Sequence, residues 1–121
     1  MEKRKEFGNI GEQKAAEYLL KNGYKILENN FKTRYGEVDI IAEDKKDVVF
    51  IEVKNRSSMN YGLPQEAIDR RKQLKIAKTA LMYLKSKNLI NKNMRFDVVA
   101  ITNEKIELIK NAFQIEGKIF Y

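Results

Sequence analysis

The alternation of hydrophobic and polar positions predicts a helix near the start of the chain. Residues 9–22 carry apolar side chains at helical spacing along one face: Ala15, Ala16, Leu19 and Leu20. The pair Asn22-Gly23 then supplies the left-handed residue that commonly ends a helix.

Three strands are predicted next, from apolar runs bounded by polar residues: Tyr24–Phe31, Val38–Ala42 and Val48–Lys54. The polar segment Glu43–Asp47 joins the last two as a hairpin, and Asn55–Leu63 follows as a loop. Pro64 suits the first position of a long second helix, which runs to about Lys87.

The segment after this helix returns to strand character. Phe96–Ile101 is almost continuously apolar, so we expect it to be buried on both faces, and Lys105–Ile109 returns antiparallel after a turn. A strand, helix and strand from Val48 to Ile101 imply a parallel pair with a right-handed crossover. The 121 residues therefore predict one α/β domain with a mixed central sheet flanked by helices.

Composition narrows the chemistry of any site. The chain has no cysteine and no histidine, which excludes disulfides, thiolate ligands and imidazole bases. A bound metal would be held by oxygen, which favours Mg²⁺, Mn²⁺ or Ca²⁺ over Zn²⁺. No long apolar run spans a membrane and the first residues lack the apolar core of a signal peptide, so we expect a cytoplasmic protein.

The positive charge is concentrated on the second predicted helix. The net charge is +7 and the pI about 9.5, which favours an anionic partner. Arg71, Lys75 and Lys78 form a basic stripe beside an apolar set: Ala67, Leu74, Ala77, Leu81 and Leu84. The basic stripe indicates phosphate contacts, and a merely solvated helix face is the alternative. Tyr35 and Tyr61 are candidates for stacking on bases, or for packing.

Two predicted strands each carry a carboxylate among apolar residues. Glu52 and Lys54 share one face of their strand, because side chains alternate. A hairpin that pairs Ile40 with Ile51 sets Asp39 opposite Glu52, and opposed carboxylates destabilise a sheet unless a cation lies between them. We expect a divalent metal there, with the Val53 carbonyl as a further oxygen ligand.

Other charged residues compete for roles in this site. Glu12 lies on the apolar stripe of the first helix, where it either reaches the site or only favours the helix dipole. Lys72 also faces the predicted site from the second helix. Asp97 is the rival carboxylate, and we interpret it as structural, bonded to Arg95 or to a neighbouring backbone group.

Five segments in this order resemble one known family: Gly11-Glu12 with Ala15-Ala16 and Tyr18-Leu19, Gly36–Ile41, Phe50–Arg56, Arg71–Gln73, and Arg95–Val99. Together they resemble the small bacterial YraN-type family of the PD-(D/E)XK nuclease superfamily, which is similar to archaeal Holliday-junction resolvases. The resemblance implies a restriction-endonuclease-like αβββαβ core over about residues 8–113 of a single nuclease-like domain, 1–121.

The resemblance also implies roles for individual residues. Asp39 and Glu52 would be metal ligands for Mg²⁺ (or Mn²⁺), and Lys54 the catalytic lysine. Glu12 would complete the acidic set, and Lys72 would be the accessory polar residue of the second helix, with Gln73 as its alternative. The resolvase relatives act as homodimers, and this chain would do the same.

Two departures from the superfamily pattern concern single positions. Val38 stands where the superfamily name has proline, and Ala77 stands where a Gln-x-x-x-Tyr motif beginning at Gln73 would have tyrosine. The second departure weakens the case for Gln73 and leaves the acids and Lys54 unaffected.

The leading hypothesis is a metal-dependent endonuclease acting on branched or otherwise structured DNA. The alternative is a non-catalytic nucleic-acid-binding module on a nuclease fold, and a protein–protein scaffold is a third. Fold and charge do not separate DNA from RNA as the substrate.

Overall fold

The computed structural model describes residues 10–56, 68–103 and 105–115. Within them the helices and strands follow in this order: α1 (Ile10–Lys21), β1 (Lys25–Thr33), β2 (Gly36–Asp44), β3 (Asp47–Arg56), α2 (Arg70–Ser86), β4 (Met94–Thr102) and β5 (Lys105–Phe113). The five strands form one sheet in sequence order. Only β3 and β4 are parallel, while the other neighbouring pairs are antiparallel. The predicted α/β class with a mixed sheet is confirmed.

The two helices cover opposite faces of the sheet. On one face α2 packs through Ile76, Ala80 and Tyr83 against residues that include Phe50 and Phe96. On the other face α1 contributes a second apolar cluster to the core: Ala15, Ala16 and Leu19 with Ile40, Val49, Ile51 and Val99. Burial of both faces explains why β4 is almost continuously apolar, as its sequence predicted.

The β2–β3 hairpin has the predicted register from Ile40 onward, but the ladder ends at Ile40, so the predicted pairing of Asp39 with Glu52 is not part of it. Ile40 pairs with Ile51, and Ile41 with Phe50. Because both faces of the hairpin are buried, the register is held by close packing of the individual side chains on each face and not by a polar–apolar alternation.

The structure corrects three predictions about the elements. The second helix begins at Arg70, where Asp69 is the N-cap and accepts a hydrogen bond from the Lys72 backbone at 2.8 Å. Pro64 and residues 57–63 lie outside the described residues, and Asn55 belongs to β3 rather than to a loop. Leu20 is 55% exposed and does not belong to the buried stripe of α1.

Asp97 belongs to a buried polar cluster away from the predicted site, termed the Arg95 network: Tyr24, Asp44, Asp47, Arg95 and Asp97. The Arg95 guanidinium donates to Asp44 at 2.8 Å, to Asp47 at 3.1 Å and to both oxygens of Asp97 at 3.0 Å. Tyr24 donates its hydroxyl to Asp97 at 2.9 Å, and the backbone N–H of Asn111 donates at 2.8 Å. These contacts agree with the structural interpretation of Asp97.

None of the helices in the described ranges is long and apolar enough to cross a membrane.

Candidate active site

The C-terminal part of β3 presents two charged side chains to the face of the sheet that α2 covers. Val48 and Phe50 belong to the core beneath α2, and alternation along the strand puts Glu52 and Lys54 on the same face. Glu52 is buried, whereas the Lys54 side chain is 25% exposed. The Nζ atom of Lys54 lies 3.8 Å from Oε2 of Glu52.

Asp39 approaches the same region from the neighbouring strand β2. Its Oδ2 accepts a hydrogen bond of 2.8 Å from the backbone N–H of Val53, the residue that follows Glu52. Burial and the charge of Glu52 raise the pKa of Asp39 to about 7, with smaller contributions from Glu12 and Glu37. The hydrogen bond from the Val53 N–H acts in the opposite direction and lowers the pKa of Asp39. The raised pKa therefore reflects burial and the nearby carboxylates.

Glu12 enters the site from the other side of the sheet. It lies in the first turn of α1 and is 6% exposed, on the same helix face as Ala15, Ala16 and Leu19. Its charge reaches Asp39. The apolar face of α1 therefore carries one buried carboxylate, whose charge contributes to the raised pKa of Asp39.

Lys72 reaches the site from the first turn of α2. Its Nζ lies 2.8 Å from Oε2 of Glu52, and its side chain is 46% exposed. Burial alone would lower the pKa of Lys72, but the hydrogen bond and charge of Glu52 and the charge of Asp39 raise it. Glu52 therefore stands between two ammonium groups, from Lys54 and Lys72.

The remaining basic and polar residues of α2 lie outside this cluster. Gln73 donates from its side chain to the backbone carbonyl of Ile68 at 2.9 Å, so it stabilises the start of the helix. Of the two residues proposed for the accessory position, the structure places Lys72 in the site. Arg71, Lys75 and Lys78 are exposed along the helix.

The donor set fits a hard divalent cation bound through few protein ligands. Among the residues that the structure describes, no three acidic side chains stand close enough together to form a metal site alone. Mg²⁺ is commonly held by one or two carboxylates and completes its coordination with water and substrate phosphate oxygens. Asp39, Glu52 and the carbonyl of Val53 supply oxygen only, which suits Mg²⁺ or Mn²⁺.

Two features around the site were absent from the sequence interpretation. Glu37 adds negative charge near Asp39 and Lys72. The period-two alternation of a strand would have placed it on the face of Asp39. The β1–β2 turn also lies against α2, where a Cβ built on Gly36 would stand 3.5 Å from Cβ of Lys75. No local sequence pattern signals that contact.

Comparisons with known proteins give one family. Residues 11–101 match the profile described as uncharacterised protein family UPF0102. A UPF0102 protein from Persephonella marina is 50% identical over 109 residues, which cover 90% of this chain and 94% of that protein. One from Syntrophus aciditrophicus is 52% identical over 112 residues, covering 89% and 88%. One from Caldanaerobacter subterraneus is 49% identical over 117 residues, covering 91% and 96%.

Among solved structures, the crystal structure of SSO0001 is similar, with a TM-score of 0.47 and 21% sequence identity. The match covers 90% of this chain and 52% of that one, so this chain corresponds to about half of that protein.

Proposed function

This chain belongs to the uncharacterised protein family UPF0102, and we propose that it is a metal-dependent endonuclease that hydrolyses phosphodiester bonds in DNA. The match to UPF0102 confirms the PD-(D/E)XK-like family that the sequence resembled. The observation that carries the proposal is the convergence of Asp39 and Glu52 with Lys54 and Lys72 on adjacent strands and one helix.

Asp39 and Glu52 are the proposed metal ligands, with the Val53 carbonyl as a third oxygen. A bound Mg²⁺ would supply Lewis-acid polarisation of the phosphoryl group and a more acidic water. Asp39 is held in place by the Val53 N–H, so the two ligands are fixed by the hairpin rather than by flexible loops. Glu12 adds a third carboxylate charge behind them.

The two lysines act on the phosphate itself. Phosphodiester hydrolysis adds a water oxygen to phosphorus and releases a sugar hydroxyl, and negative charge builds on the phosphoryl oxygens during this step. Lys54 and Lys72 keep positive charge beside Glu52, where it stabilises that transition state. Lys54, next to the metal ligands on β3, is the proposed catalytic lysine that also orients the attacking water.

The substrate proposed is branched or otherwise structured DNA, bound in the cytoplasm by a homodimer. The exposed stripe of Arg71, Lys75 and Lys78 continues along α2 from Lys72 and provides phosphate contacts without sequence preference. Family resemblance, rather than any contact in the site, supports the choice of branched DNA and of two subunits.

The proposal is tested by incubating labelled four-way junction, flap, single-stranded and duplex DNA with the protein in Mg²⁺, Mn²⁺ or EDTA. We expect cleavage that needs the metal and is lost in both Asp39→Ala and Glu52→Ala. An RNA version of the preferred substrate decides between the two nucleic acids. Cleavage that survives both substitutions would show that this cluster is not the active site.

A second candidate is a non-catalytic nucleic-acid-binding module. The exposed basic stripe on α2 favours it, because phosphate binding by lysine and arginine does not need the acidic residues. In that case no DNA is cut, and Glu52→Ala binds DNA as tightly as the unchanged protein or more tightly.

A further inference from the structure

The β1–β2 turn carries an aromatic ring surrounded by cations. The Arg34 guanidinium lies 5.1 Å from the centroid of the Tyr35 ring, and Nζ of Lys78 lies 5.5 Å from it. Arg34 also donates a hydrogen bond to the Tyr35 hydroxyl at 3.1 Å. Together with Lys75 on the same helix as Lys78, these residues are termed the turn platform: Arg34, Tyr35, Lys75 and Lys78.

A chain of hydrogen bonds fixes the turn platform against α2. Thr79 is fully buried and donates its hydroxyl to the backbone carbonyl of Lys75 at 2.9 Å. The hydroxyl oxygens of Thr79 and Thr33 lie 3.1 Å apart, within hydrogen-bond distance. Thr33 in turn accepts from the backbone N–H of Tyr35 at 3.1 Å. The turn is therefore held in position before any ligand arrives.

Tyr35 has no packing role that explains its position. Its ring belongs to neither of the two hydrophobic clusters that form the core of the described chain. The two cations of the described residues that contact the ring, Arg34 and Lys78, are both exposed. The Glu37 side chain, two residues after Tyr35, is 46% exposed, and its Oε1 atom lies 4.0 Å from Nζ of Lys32. An aromatic face ringed by positive charge is complementary to a base and its flanking phosphates.

The turn platform and the candidate active site both include lysines of α2. Lys72, Lys75 and Lys78 follow one another along α2, and six residues of helix span about 9 Å. Tyr35 and Gly36 also immediately precede the part of β2 that carries Asp39. At about 3.4 Å per nucleotide of a stacked strand, the platform lies roughly three nucleotides from the acidic cluster.

We propose that Tyr35 is a stacking platform for an unpaired DNA base, and that Arg34 and Lys78 hold the phosphates beside that base. This inference rests on the proposed nuclease function and deepens it, because it assigns selection of unpaired DNA to the β1–β2 turn. Exposed cation–π contacts are weaker than base stacking on an aromatic side chain, so an incoming base displaces the two cations from the ring toward phosphates.

The test measures DNA binding in EDTA, where a metal-dependent enzyme cannot cut. We expect Tyr35→Ala to weaken binding of single-stranded DNA and of a flap by about tenfold or more, and Tyr35→Phe to bind normally. Duplex DNA keeps its bases inside the helix, so Tyr35→Ala should leave duplex binding unchanged. Conversely, Lys78→Ala should weaken binding of both single-stranded and duplex DNA.

A second readout reports stacking directly. The chain has no tryptophan, so Tyr35→Trp introduces a single tryptophan at the platform, whose fluorescence can be excited apart from that of the remaining tyrosines. We expect its fluorescence to be quenched by an oligothymidine and not by a blunt duplex. The matched control is Leu20→Trp, because Leu20 is exposed on α1 across the sheet. Its fluorescence should not respond to either DNA.

The outcomes separate this inference from the proposed function. Metal-dependent cleavage together with unchanged single-strand binding in Tyr35→Ala would overturn the platform and leave the nuclease intact. Binding that depends on Tyr35, in a protein that never cuts, would support the platform and overturn the nuclease. Failure of the unchanged protein to bind any DNA would overturn both.

Discussion

At the scale of single residues, the candidate site places carboxylates where they are costly without a cation. Asp39 is buried, and burial together with Glu52 raises its pKa to about 7. A carboxyl group whose pKa is raised by folding stabilises the fold at low pH and loses that contribution as pH rises through the folded-state value. Asp39 should therefore destabilise the metal-free protein above neutral pH.

The substitution Asp39→Asn tests this cost. An amide oxygen can still accept the Val53 N–H, while the negative charge is removed. In EDTA at pH 8 we expect the variant to be more stable than the unchanged protein, by up to ~4 kcal/mol, since one pKa unit corresponds to about 1.4 kcal/mol. At pH 5 the difference should fall to about 1.7 kcal/mol, and below the unfolded-state pKa of 3.8 it should vanish. Urea unfolding at both pH values measures it, and an equally large gain at pH 5 would exclude ionisation of Asp39 as the cause.

Removal of Lys72 should affect catalysis more than DNA binding. Its ammonium group lies 2.8 Å from Glu52 in the site, but the side chain is about half exposed, so solvent weakens its electrostatic effect. We expect Lys72→Met to lower the single-turnover cleavage rate by about tenfold to a hundredfold. Removal of one hydrogen-bond donor to a transition state typically costs the upper end of that range or more. Lys87→Met, an exposed position at the end of α2, is the control. Equal losses in both variants would mean that only net charge matters.

At the scale of whole elements, the Arg95 network ties the β2–β3 hairpin to β4 and β5. Asp97 is fully buried on β4 and accepts hydrogen bonds from Arg95, from Tyr24 and from the backbone of Asn111 on β5. Arg95 carries the connection on to Asp44 and Asp47, at the ends of β2 and β3. The network therefore fixes the strands on which Asp39 and Glu52 lie.

We expect Asp97→Asn to destabilise the protein by about 3 kcal/mol, because it removes the one fully buried carboxylate of the three in the described residues that pair with the partly exposed Arg95 guanidinium. Urea unfolding measures the change. Glu107→Gln, an exposed glutamate on β5, should change stability by less than about 0.5 kcal/mol. A loss below about 1 kcal/mol in Asp97→Asn would show that the network contributes little to the fold.

The sequence predicted the helices and strands that are specified by runs of neighbouring residues. The apolar runs of β2 and β3, joined by a short polar turn, predicted the pairing of Ile40 with Ile51 that the structure has. The sequence predicts that α2 begins at Pro64, because proline suits the first turn of a helix. The helix begins instead at Arg70, where Asp69 is the capping residue.

Patterns of neighbouring residues could not predict contacts between distant parts of the chain. Tyr24 meets Asp97 across 73 positions and Thr33 meets Thr79 across 46. Only the folded sheet brings such residues together. Asp39 and Glu52 were predicted because a charge within an apolar strand is itself a local anomaly, whereas the sequence analysis assigned no role to Glu37.

At the scale of the whole molecule, an excess of positive charge is arranged around a small acidic site. The net charge of +7 attracts nucleic acid at long range, and the basic residues of α2 lie beside the cluster formed by Asp39 and Glu52. The basic residues would hold the DNA phosphates near the site, although the acidic residues of the site repel phosphates.

The salt dependence of duplex binding should reveal which cations contact phosphates. Each phosphate contact contributes about 0.9 to the slope of log affinity against log salt concentration. Replacing Arg71, Lys75 and Lys78 by alanine together should reduce that slope by up to about 2.7. The control is a triple alanine variant with the same charge change at exposed lysines elsewhere: Lys45, Lys46 and Lys92. Equal reductions in both would mean that net charge, and not the α2 face, determines binding.

The most direct test of the whole account is the single-turnover rate of DNA cleavage in Mg²⁺ for the unchanged protein, Glu52→Gln and Glu107→Gln, purified side by side. Both substitutions remove one negative charge from a glutamate on a strand, but only Glu52 lies in the candidate site. We predict that Glu52→Gln lowers the rate by at least about a thousandfold, while Glu107→Gln cuts at the normal rate. Equal rates in all three proteins would contradict the assignment of catalysis to this site.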